Sequence, residues 1–346
     1  MKIALTGVSG YLGRNLLERL GREGLGGAEL LGLDLAGVDV PASRLRYVRR
    51  DVRDPALAGD LEGYDTVVHM AFVVEAMRDR ALMYDVNLGG SRNLLRACER
   101  AGVRNLIVTS SVAAYGIQGD RVITEDTPLL GAARSCYAHT KRLVEEELDV
   151  FEARNPATRV VRVRPSIVLG PRCNTWALDA LGGAQRLDTR RGIRIPVVHE
   201  DDVTEVLWRA ITTAVRGPLL VAHPEPLSPE TRARLADGRR IVVPEWLMLR
   251  LADAGFALGL SRINSDWLLL AAKNSYRFDA SKTWEKLGWR PQHEPESALS
   301  AALASYRGLA HAGARRASAD RLEGTRHLLV SEDGAANHGH GREAAK

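Results

Sequence analysis

A tyrosine and a lysine four residues apart are the best candidates in this sequence for acid/base chemistry. Tyr137 and Lys141 begin a segment of helical periodicity, in which Val144, Leu148 and Phe151 continue the same face. Residues four apart on a helix are neighbours. A free tyrosine titrates near pH ~10, and a nearby cation lowers the pKa of an acid. The spacing therefore predicts that Lys141 lowers the pKa of Tyr137 and makes its side chain a general base.

A glycine-rich turn near the N-terminus is suited to holding a phosphate. The apolar run Lys2–Thr6 leads directly into Gly7, Gly10 and Gly13, and a helical pattern follows. The first glycine permits a tight turn, the second allows a pyrophosphate to approach the backbone, and the third lets the helix pack closely on the strand. The N–H groups of the first helical turn then bind the phosphate charge. Tyr11 and Leu12, which lie between the last two glycines, are predicted to bind the cofactor as well.

An aspartate follows at the distance expected for a dinucleotide site. Asp34 ends the second apolar run, 21 residues after Gly13. A carboxylate here accepts hydrogen bonds from the adenosine ribose, and its charge repels the additional phosphate of NADP. The alternative is an ordinary loop aspartate after a strand. Together with the glycine turn, Asp34 predicts that the cofactor is NAD.

Short apolar runs alternate with helical patterns through the first half of the chain. Such alternation indicates βαβ units and a parallel sheet covered by helices on both faces. Right-handed crossovers make this a doubly wound, Rossmann-type α/β fold. The predicted strands are Lys2–Thr6, Glu29–Leu33, Leu45–Val48, Thr66–Met70, Asn105–Ser110 and Arg159–Val163.

In the second half of the chain, apolar runs and helical patterns alternate less regularly, and we divide the chain at this change. Residues 1–165 are predicted to form the NAD-binding domain with the catalytic helix, and residues 166–309 a smaller C-terminal substrate-binding region that returns to the sheet. In the latter, strands at Pro196–His199 and Pro218–Ala222 flank a helix from about Asp202 to Val215, with Asp202 as its N-cap. Residues 310–346 are predicted to be a disordered tail.

Composition and charge limit the possible classes of partner. The net charge of +5 is small for 346 residues and forms no long basic block, so no nucleic-acid partner is expected. No apolar stretch approaches the ~20 residues of a spanning helix, so no membrane partner is expected either. The three cysteines are far apart in sequence, which predicts neither disulfides nor a metal site and suits a reducing cytoplasm.

These features resemble the extended short-chain dehydrogenase/reductase family, also called the NAD-dependent epimerase/dehydratase family. The resemblance extends over about residues 1 to 308, and its main motifs are the TGxxGxxG turn from Thr6 to Gly13 and the YxxxK pair of Tyr137 and Lys141. Further matching motifs are Asp51-Val52, His69-Met70-Ala71, Asn87, Ser110 to Gly116, Arg164-Pro165, Gly170-Pro171, Phe278-Asp279 and Leu287 to Pro291.

The resemblance implies roles for several further residues. Ser111 would join Tyr137 and Lys141 as a catalytic residue, because its hydroxyl would orient the substrate oxygen. Lys141 would also bind the nicotinamide ribose. The remaining cofactor contacts implied are Asp51 and Val52 at the adenine, Ala71 in the cofactor channel, Asn87 against the cofactor, and Pro165 and Ile167 near the nicotinamide.

Two departures from the family pattern narrow the reaction. Dehydratases carry an Asp-Glu pair beside the catalytic hydroxyl, where this chain has Val112 and Ala113, so dehydration is not expected. Sugar-nucleotide epimerases usually carry an asparagine where Ile167 stands here, which weakens the nucleotide-sugar alternative without removing it.

Three functions remain open at this point. The leading hypothesis is an NAD-dependent dehydrogenase or reductase of a small to medium secondary alcohol or ketone. The second is a sugar-nucleotide 4-epimerase that retains its NAD. The third is a non-catalytic dinucleotide-sensing protein, although such relatives typically lose the tyrosine or the lysine. The family often forms dimers through two helices, here expected near Leu82–Arg100 and Tyr137–Arg154.

Overall fold

A computed structural model describes residues 1–38, 45–182, 187–236 and 241–311. Of the predicted tail, residues 310–346, the first two belong to the last helix and residues 312–346 lie outside the described residues. The strands are β1 (Lys2–Thr6), β2 (Glu29–Asp34), β3 (Leu45–Arg49), β4 (Thr66–His69), β5 (Asn105–Thr109), β6 (Val122–Ile123), β7 (Arg159–Pro165), β8 (Ile167–Leu169), β9 (Leu187–Asp188), β10 (Val197–His199), β11 (Gly217–Val221), β12 (Ile241–Val242) and β13 (Arg277–Phe278).

Twelve α-helices accompany these strands in the described part of the chain. They are α1 (Tyr11–Glu23), α2 (Leu57–Asp60), α3 (Arg80–Tyr84), α4 (Gly90–Ala101), α5 (Cys136–Arg154), α6 (Trp176–Gly182), α7 (Glu200–Thr212), α8 (Pro229–Leu235), α9 (Glu245–Ala257), α10 (Ser265–Lys273), α11 (Ser281–Leu287) and α12 (Pro295–His311). Among the described residues, no helix combines the length and the apolar character needed to cross a membrane.

A seven-stranded parallel sheet forms the centre of the fold. Its strand order is β11-β7-β5-β4-β1-β2-β3, so β1 lies inside the sheet and the chain winds outward from it in both directions. In register, Thr6 of β1 lies opposite Leu33 of β2 on one side and His69 of β4 on the other. The predicted doubly wound, Rossmann-type α/β fold is confirmed. The glycine turn after β1 therefore lies at the carboxyl edge of the sheet, where ligands bind in such folds.

Helices cover both faces of this sheet. On one face, α1 and α7 pack through Leu16, Leu17 and Leu207 against strand residues such as Ile3 and Val161. On the other face α2, α4 and α5 bury apolar side chains against the same strands, among them Leu57, Leu94, Val144, Leu148 and Phe151. Strands buried on both faces read as continuous apolar runs, which is why they could be predicted from the sequence.

The C-terminal part of the chain adds one strand to the large sheet and forms a second apolar cluster beside it. β11 adds an edge strand to the large sheet beside β7, whereas α6, α8, α9, α10 and α12 surround a separate apolar cluster with the strand pairs β8–β10 and β9–β12. The domain boundary at residue 165 stays a prediction.

The predicted N-cap at Asp202 is wrong: α7 begins at Glu200 and its N-cap is His199, whose Nδ1 accepts the backbone N–H of Asp201. Asp202 instead accepts hydrogen bonds from Gln292 and His293.

Candidate active site

The predicted catalytic pair lies in the first two turns of α5. The side chain of Ser135 caps this helix by accepting the N–H of Ala138, which fixes the start of α5 one residue before Tyr137. Tyr137 and Lys141 are only 9% and 4% exposed. The sequence spacing therefore does place both side chains on one buried helical face.

Ser111 approaches this pair from the end of β5. It caps a short 3-10 turn from Val112 to Tyr115, where its Oγ accepts the N–H of Ala113 at 3.1 Å. Its hydroxyl also interacts with the hydroxyl of Tyr137 and lowers the pKa of that phenol. Ser111, Tyr137 and Lys141 line one cavity. A carbonyl oxygen bound in this cavity can accept hydrogen bonds from two hydroxyl groups, those of Ser111 and Tyr137.

The charge state of the pair differs from the sequence-based expectation. Burial raises the pKa of Tyr137 to about 12, and the Ser111 hydroxyl opposes this only in part. Lys141 donates from Nζ to the backbone oxygen of Thr109 at 2.7 Å and lies 3.4 Å from the ring centre of Phe72. Burial lowers the pKa of Lys141 to about 7. Lys141 thus does not lower the pKa of Tyr137 in the protein alone, and Tyr137 carries its proton at neutral pH.

The glycine turn has the geometry of a phosphate cradle. Gly7 has φ +71°, and a Cβ atom there would lie 2.5 Å from the backbone nitrogen of Ala71. A Cβ atom on Gly13 would lie 2.2 Å from the Gly7 oxygen, so only glycine lets α1 start this close to β1. No side chain caps α1 at Gly10, and its first turn contains no acidic residue. This helix N-terminus is therefore suited to bind an anion.

Asp34 is held beside the cradle. Its two carboxylate oxygens accept the backbone N–H groups of Ser9 at 2.9 Å and Leu35 at 2.7 Å. The side chain thereby ties the end of β2 to the glycine turn. A carboxylate oxygen accepts more than one hydrogen bond, so Asp34 retains the capacity to accept from a ribose hydroxyl.

The structure brings most of the predicted site residues to the cavity but not all. Those that line it are Gly7, Gly10, Tyr11, Leu12, Gly13, Ser111, Tyr137, Lys141, Pro165 and Ile167. Five others are not among the residues that line it: Asp34, Asp51, Val52, Ala71 and Asn87. Of these, Asp51 is paired with Arg53, and Asn87 both accepts from and donates to the backbone of Val73. The roles of all these residues in binding or catalysis stay predictions.

Two sets of contacts around the glycine turn were not predicted from the sequence. His69 is 3% exposed and bridges β1 to α4, through Thr6 Oγ1 at 2.7 Å and Ser91 Oγ at 3.1 Å; burial lowers its pKa to about 3. Tyr11 donates to the carboxylate of Glu200, a fully buried residue at the start of α7, and burial raises the pKa of Tyr11. No local pattern indicates either contact, because the partners are 63 and 189 residues apart.

The cavity beyond Tyr137 is lined mainly by apolar and aromatic side chains. The whole cavity, from the glycine turn to these apolar walls, has a volume of about 270 Å³. The ring of Trp267 lies 4.9 Å from that of Tyr137 and 4.3 Å from that of Trp176, so three aromatic rings, tilted by 33° and 35° to one another, lie in a continuous row. Other apolar walls come from Phe72, Val74, Leu181, Ile193, Ile195, Ile263, Leu268, Leu270 and Tyr276. These residues come from distant segments, and no sequence pattern marked them as one surface.

Only two basic side chains are found among the described residues of the cavity wall, and both have partners. Lys141 is bound to Thr109 as given above. Arg232 of α8 lies 3.4 Å from the carboxylate of Asp188, a fully buried residue in β9. Away from the N-terminus of α1, an anionic group in this cavity would therefore meet little uncompensated positive charge.

One group of potential metal ligands lies elsewhere in the described part of the chain. His199, Asp201 and His293 place ligand atoms within 4.8 Å of one another, and the two imidazole rings stack at 3.9 Å. Nδ1 of His199 already accepts the N–H of Asp201, and Arg172 pairs with the Asp201 carboxylate. We assign no metal here.

Comparison with known proteins gives one family and several relatives. The model of the NAD dependent epimerase/dehydratase family matches residues 3–219. A candidate dihydroflavonol 4-reductase of Synechocystis is 26% identical over 330 residues, covering 87% of this chain and 92% of that protein. A UDP-glucose 4-epimerase of Lactobacillus helveticus is 32% identical over 152 residues, covering 42% of this chain and 46% of that protein. The chain thus matches less than half of the length of that epimerase.

Solved structures show the same fold. A UDP-glucose 4-epimerase of Thermotoga maritima, solved with UDP-glucose, superimposes with a TM-score of 0.70 at 19% sequence identity. The superposition covers 89% of this chain and 99% of that chain. At this level of identity the likeness concerns the fold.

Proposed function

The chain belongs to the NAD-dependent epimerase/dehydratase family, and from that premise we propose that it is an NAD-dependent dehydrogenase or reductase. Its substrate would be a secondary alcohol or ketone carried on an apolar, ring-containing molecule. The observation that carries this proposal is the apolar, aromatic wall that continues directly from Tyr137 through Trp267 to Trp176.

The residues present fit the family's cofactor, NAD. The uncapped N-terminus of α1 would hold the pyrophosphate, and Asp34 would accept from the adenosine ribose. When bound, NAD supplies or accepts the hydride at the substrate carbon. Pro165 and Ile167 lie on the same cavity wall as Tyr137, where they would contact the nicotinamide end.

Side chains of this protein would donate the proton to the substrate oxygen or accept it from the substrate hydroxyl. In the reductive direction Tyr137, which carries its proton at neutral pH, would donate it to the carbonyl oxygen as that oxygen becomes a hydroxyl. Ser111 would donate a hydrogen bond to the same oxygen and hold it near the phenol. Lys141, one turn along α5, would bind the cofactor ribose and stabilise the phenolate that remains. In the oxidative direction the phenolate would take the proton back.

A sugar-nucleotide 4-epimerase is the second candidate, because relatives and fold neighbours include such enzymes. A nucleotide sugar carries a diphosphate, which is usually bound by several arginine or lysine side chains. The described cavity wall offers only Lys141 and Arg232, each with a partner already. This deficit of free cations favours the uncharged alcohol or ketone.

Two further properties are proposals of the same kind. A homodimer would use α4 and α5, which lie side by side and share a surface depression lined by Arg92, Leu95, Arg96, Glu99, Glu147, Val150, Phe151, Arg154 and Asn155. A cytoplasmic location suits Cys98, Cys136 and Cys173, all of which are buried and unpaired.

The experiment is a substrate screen on the purified full chain. Apolar ring ketones such as 2-tetralone and acyclic ketones are incubated with NADH, and UDP-glucose is incubated with NAD, with Tyr137→Phe as the control for every assay. We expect NADH oxidation with a ring ketone and no conversion of UDP-glucose. Formation of UDP-galactose without net change in NADH would instead establish the epimerase.

A further inference from the structure

An apolar face on the outside of α9 has no partner within the described chain. Four large side chains form it: Trp246 is 67% exposed, Leu251 48%, Leu258 73% and Leu260 82%. We call these four residues the α9 face. Isolated exposed apolar residues are common on soluble proteins, but a cluster of this kind marks an interaction surface.

Helical geometry places these side chains together and away from the core. At about 100° per residue, Trp246, Leu251 and Leu258 lie within roughly 140° of one another around the helix axis, and Leu260 follows just after its end. On the opposite side, Met248 and Ala252 are buried, and Met248 packs into the apolar cluster that surrounds the cavity. The helix therefore has one side against the substrate-binding region and the other toward solvent.

One exposed part of the cavity wall lies next to this face. Among the described residues that line the cavity, only Gly10 and Val74 are exposed, and Gly10 is at the cofactor end. The segment that contains Val74 is attached to the end of α9. Arg78 donates to the backbone oxygen of Ala257 at 2.8 Å, and Glu75 forms an ion pair with Arg262. A substrate that enters past Val74 thus enters beside the α9 face.

The charged residues around the face favour an anionic surface. Arg250 is exposed within the same arc, and Arg78 is exposed at its C-terminal end. Asp253, the acidic residue nearest on the helix, is exposed too, and its carboxylate accepts the N–H of Ser265, so the two arginines outnumber one acid. Tryptophan, leucine and arginine together are typical of helices that lie in the interfacial region of a bilayer. A bilayer at this face would hold apolar molecules beside Val74.

We propose that the α9 face docks this protein reversibly on an anionic lipid surface, from which apolar substrates enter the cavity past Val74. This departs from the expectation, made from the sequence, that the protein has no membrane partner. The use of the surface rests on the proposed function, since it assumes an apolar substrate. Docking itself can be measured without turnover.

The test is co-sedimentation of the full chain with phosphatidylcholine vesicles, with and without phosphatidylglycerol. We expect binding to the vesicles that contain phosphatidylglycerol and weaker binding to the others. Leu258→Glu combined with Leu260→Glu should reduce the partition coefficient by about tenfold or more, because each leucine loses its apolar burial in the interface. Arg250→Gln should reduce binding about fivefold, and only to the anionic vesicles.

The matched control is Leu130→Glu combined with Ile117→Glu, two exposed apolar residues outside the face, which should leave vesicle binding unchanged. NAD affinity and the thermal midpoint of each variant verify the fold. Absence of wild-type binding to both vesicles would overturn the proposal. So would self-association of the wild type that the Leu258/Leu260 variant abolishes without any vesicle binding. Vesicle binding without ketone reduction would overturn only the proposed function, and reduction without vesicle binding only the docking.

Discussion

The proposed cofactor side and the proposed substrate side of the cavity are held by different kinds of interaction. On the cofactor side, polar groups have defined partners: Asp34 binds the Ser9 backbone, Lys141 binds the Thr109 oxygen, and Tyr11 binds Glu200. On the substrate side, Trp176 and Trp267 contribute two rings in contact, and aliphatic residues complete the wall.

Because of this difference, we expect the cofactor side to determine the chemical step and the substrate side to determine which substrates are selected. Hydrogen bonds have direction, so the cofactor side can fix the position of a reacting atom to within a narrow range. Apolar contacts have no direction and discriminate chiefly by shape and area. Changes on the cofactor side should therefore affect every substrate alike, whereas changes on the substrate side should affect substrates unequally.

The largest effect is expected from Tyr137→Phe. This change removes the proton donor and keeps the ring that packs on Trp267. We expect kcat to fall by about 10²–10⁴-fold, by the same factor for ring and acyclic ketones, with NAD affinity unchanged. Steady-state kinetics and calorimetric titration with NAD measure the two quantities. Near-full turnover by this variant would refute the tyrosine mechanism.

Lys141→Met should change how stability depends on pH. The folded pKa of Lys141 is about 7, below the value of about 10.4 in an unfolded chain. Between these two pH values the unfolded chain binds a proton that the folded protein does not, so the free energy of unfolding rises with pH across this window. The penalty of a buried cation is fully present below pH 7.

Removal of the amine should abolish this rise and increase the free energy of unfolding at pH 6.5 by a few kcal/mol (order of magnitude). Urea unfolding at pH 6.5 and 9.5 measures it. Lys273→Met, at an exposed lysine paired with Glu245, is the control and should keep the wild-type slope. A Lys141→Met variant with the wild-type slope would mean that Lys141 is not the group that titrates.

A smaller effect is expected at the ribose contact. Asp34→Ser should narrow the preference for NAD over NADP by about tenfold or more, because the variant loses both an acceptor and a negative charge. Titration of both cofactors by calorimetry tests this, and Glu62→Gln, an exposed acid on the same half of the chain, is the control. Equal affinity of the wild type for both cofactors would contradict the role of Asp34.

The smallest effect should be the most selective one. Trp267→Leu removes the central ring of the row between Tyr137 and Trp176. An aromatic contact of this kind contributes about 0.5–1.5 kcal/mol, so KM for ring ketones should rise about 2- to 10-fold, with little change for acyclic ketones or in kcat. Trp246→Leu, on the exposed α9 face, should leave both KM values unchanged in solution. An equal rise in KM for all ketones would contradict the expected difference between the cofactor side and the substrate side of the cavity.

Spacing along the chain was sufficient to predict the doubly wound sheet and to single out the glycine turn, Asp34 and the Tyr137–Lys141 pair. These features depend on local geometry. A strand followed at once by glycines and a helix specifies a turn, and a separation of four residues specifies one helical face.

Long-range packing decided the rest. The aromatic wall combines Phe72, Trp176, Trp267 and Tyr276, which share a surface only once the C-terminal helices are in place. The same packing made His199 rather than Asp202 the N-cap of α7, and it raised the pKa of Tyr137 where the sequence had predicted a decrease. Burial depends on residues far away in the chain, and the free energy of desolvating a charge exceeds what a neighbour at helical spacing supplies. For that reason the candidate reacting groups can be predicted from local sequence, while their ionisation and the shape of the proposed substrate cavity are properties of the folded chain.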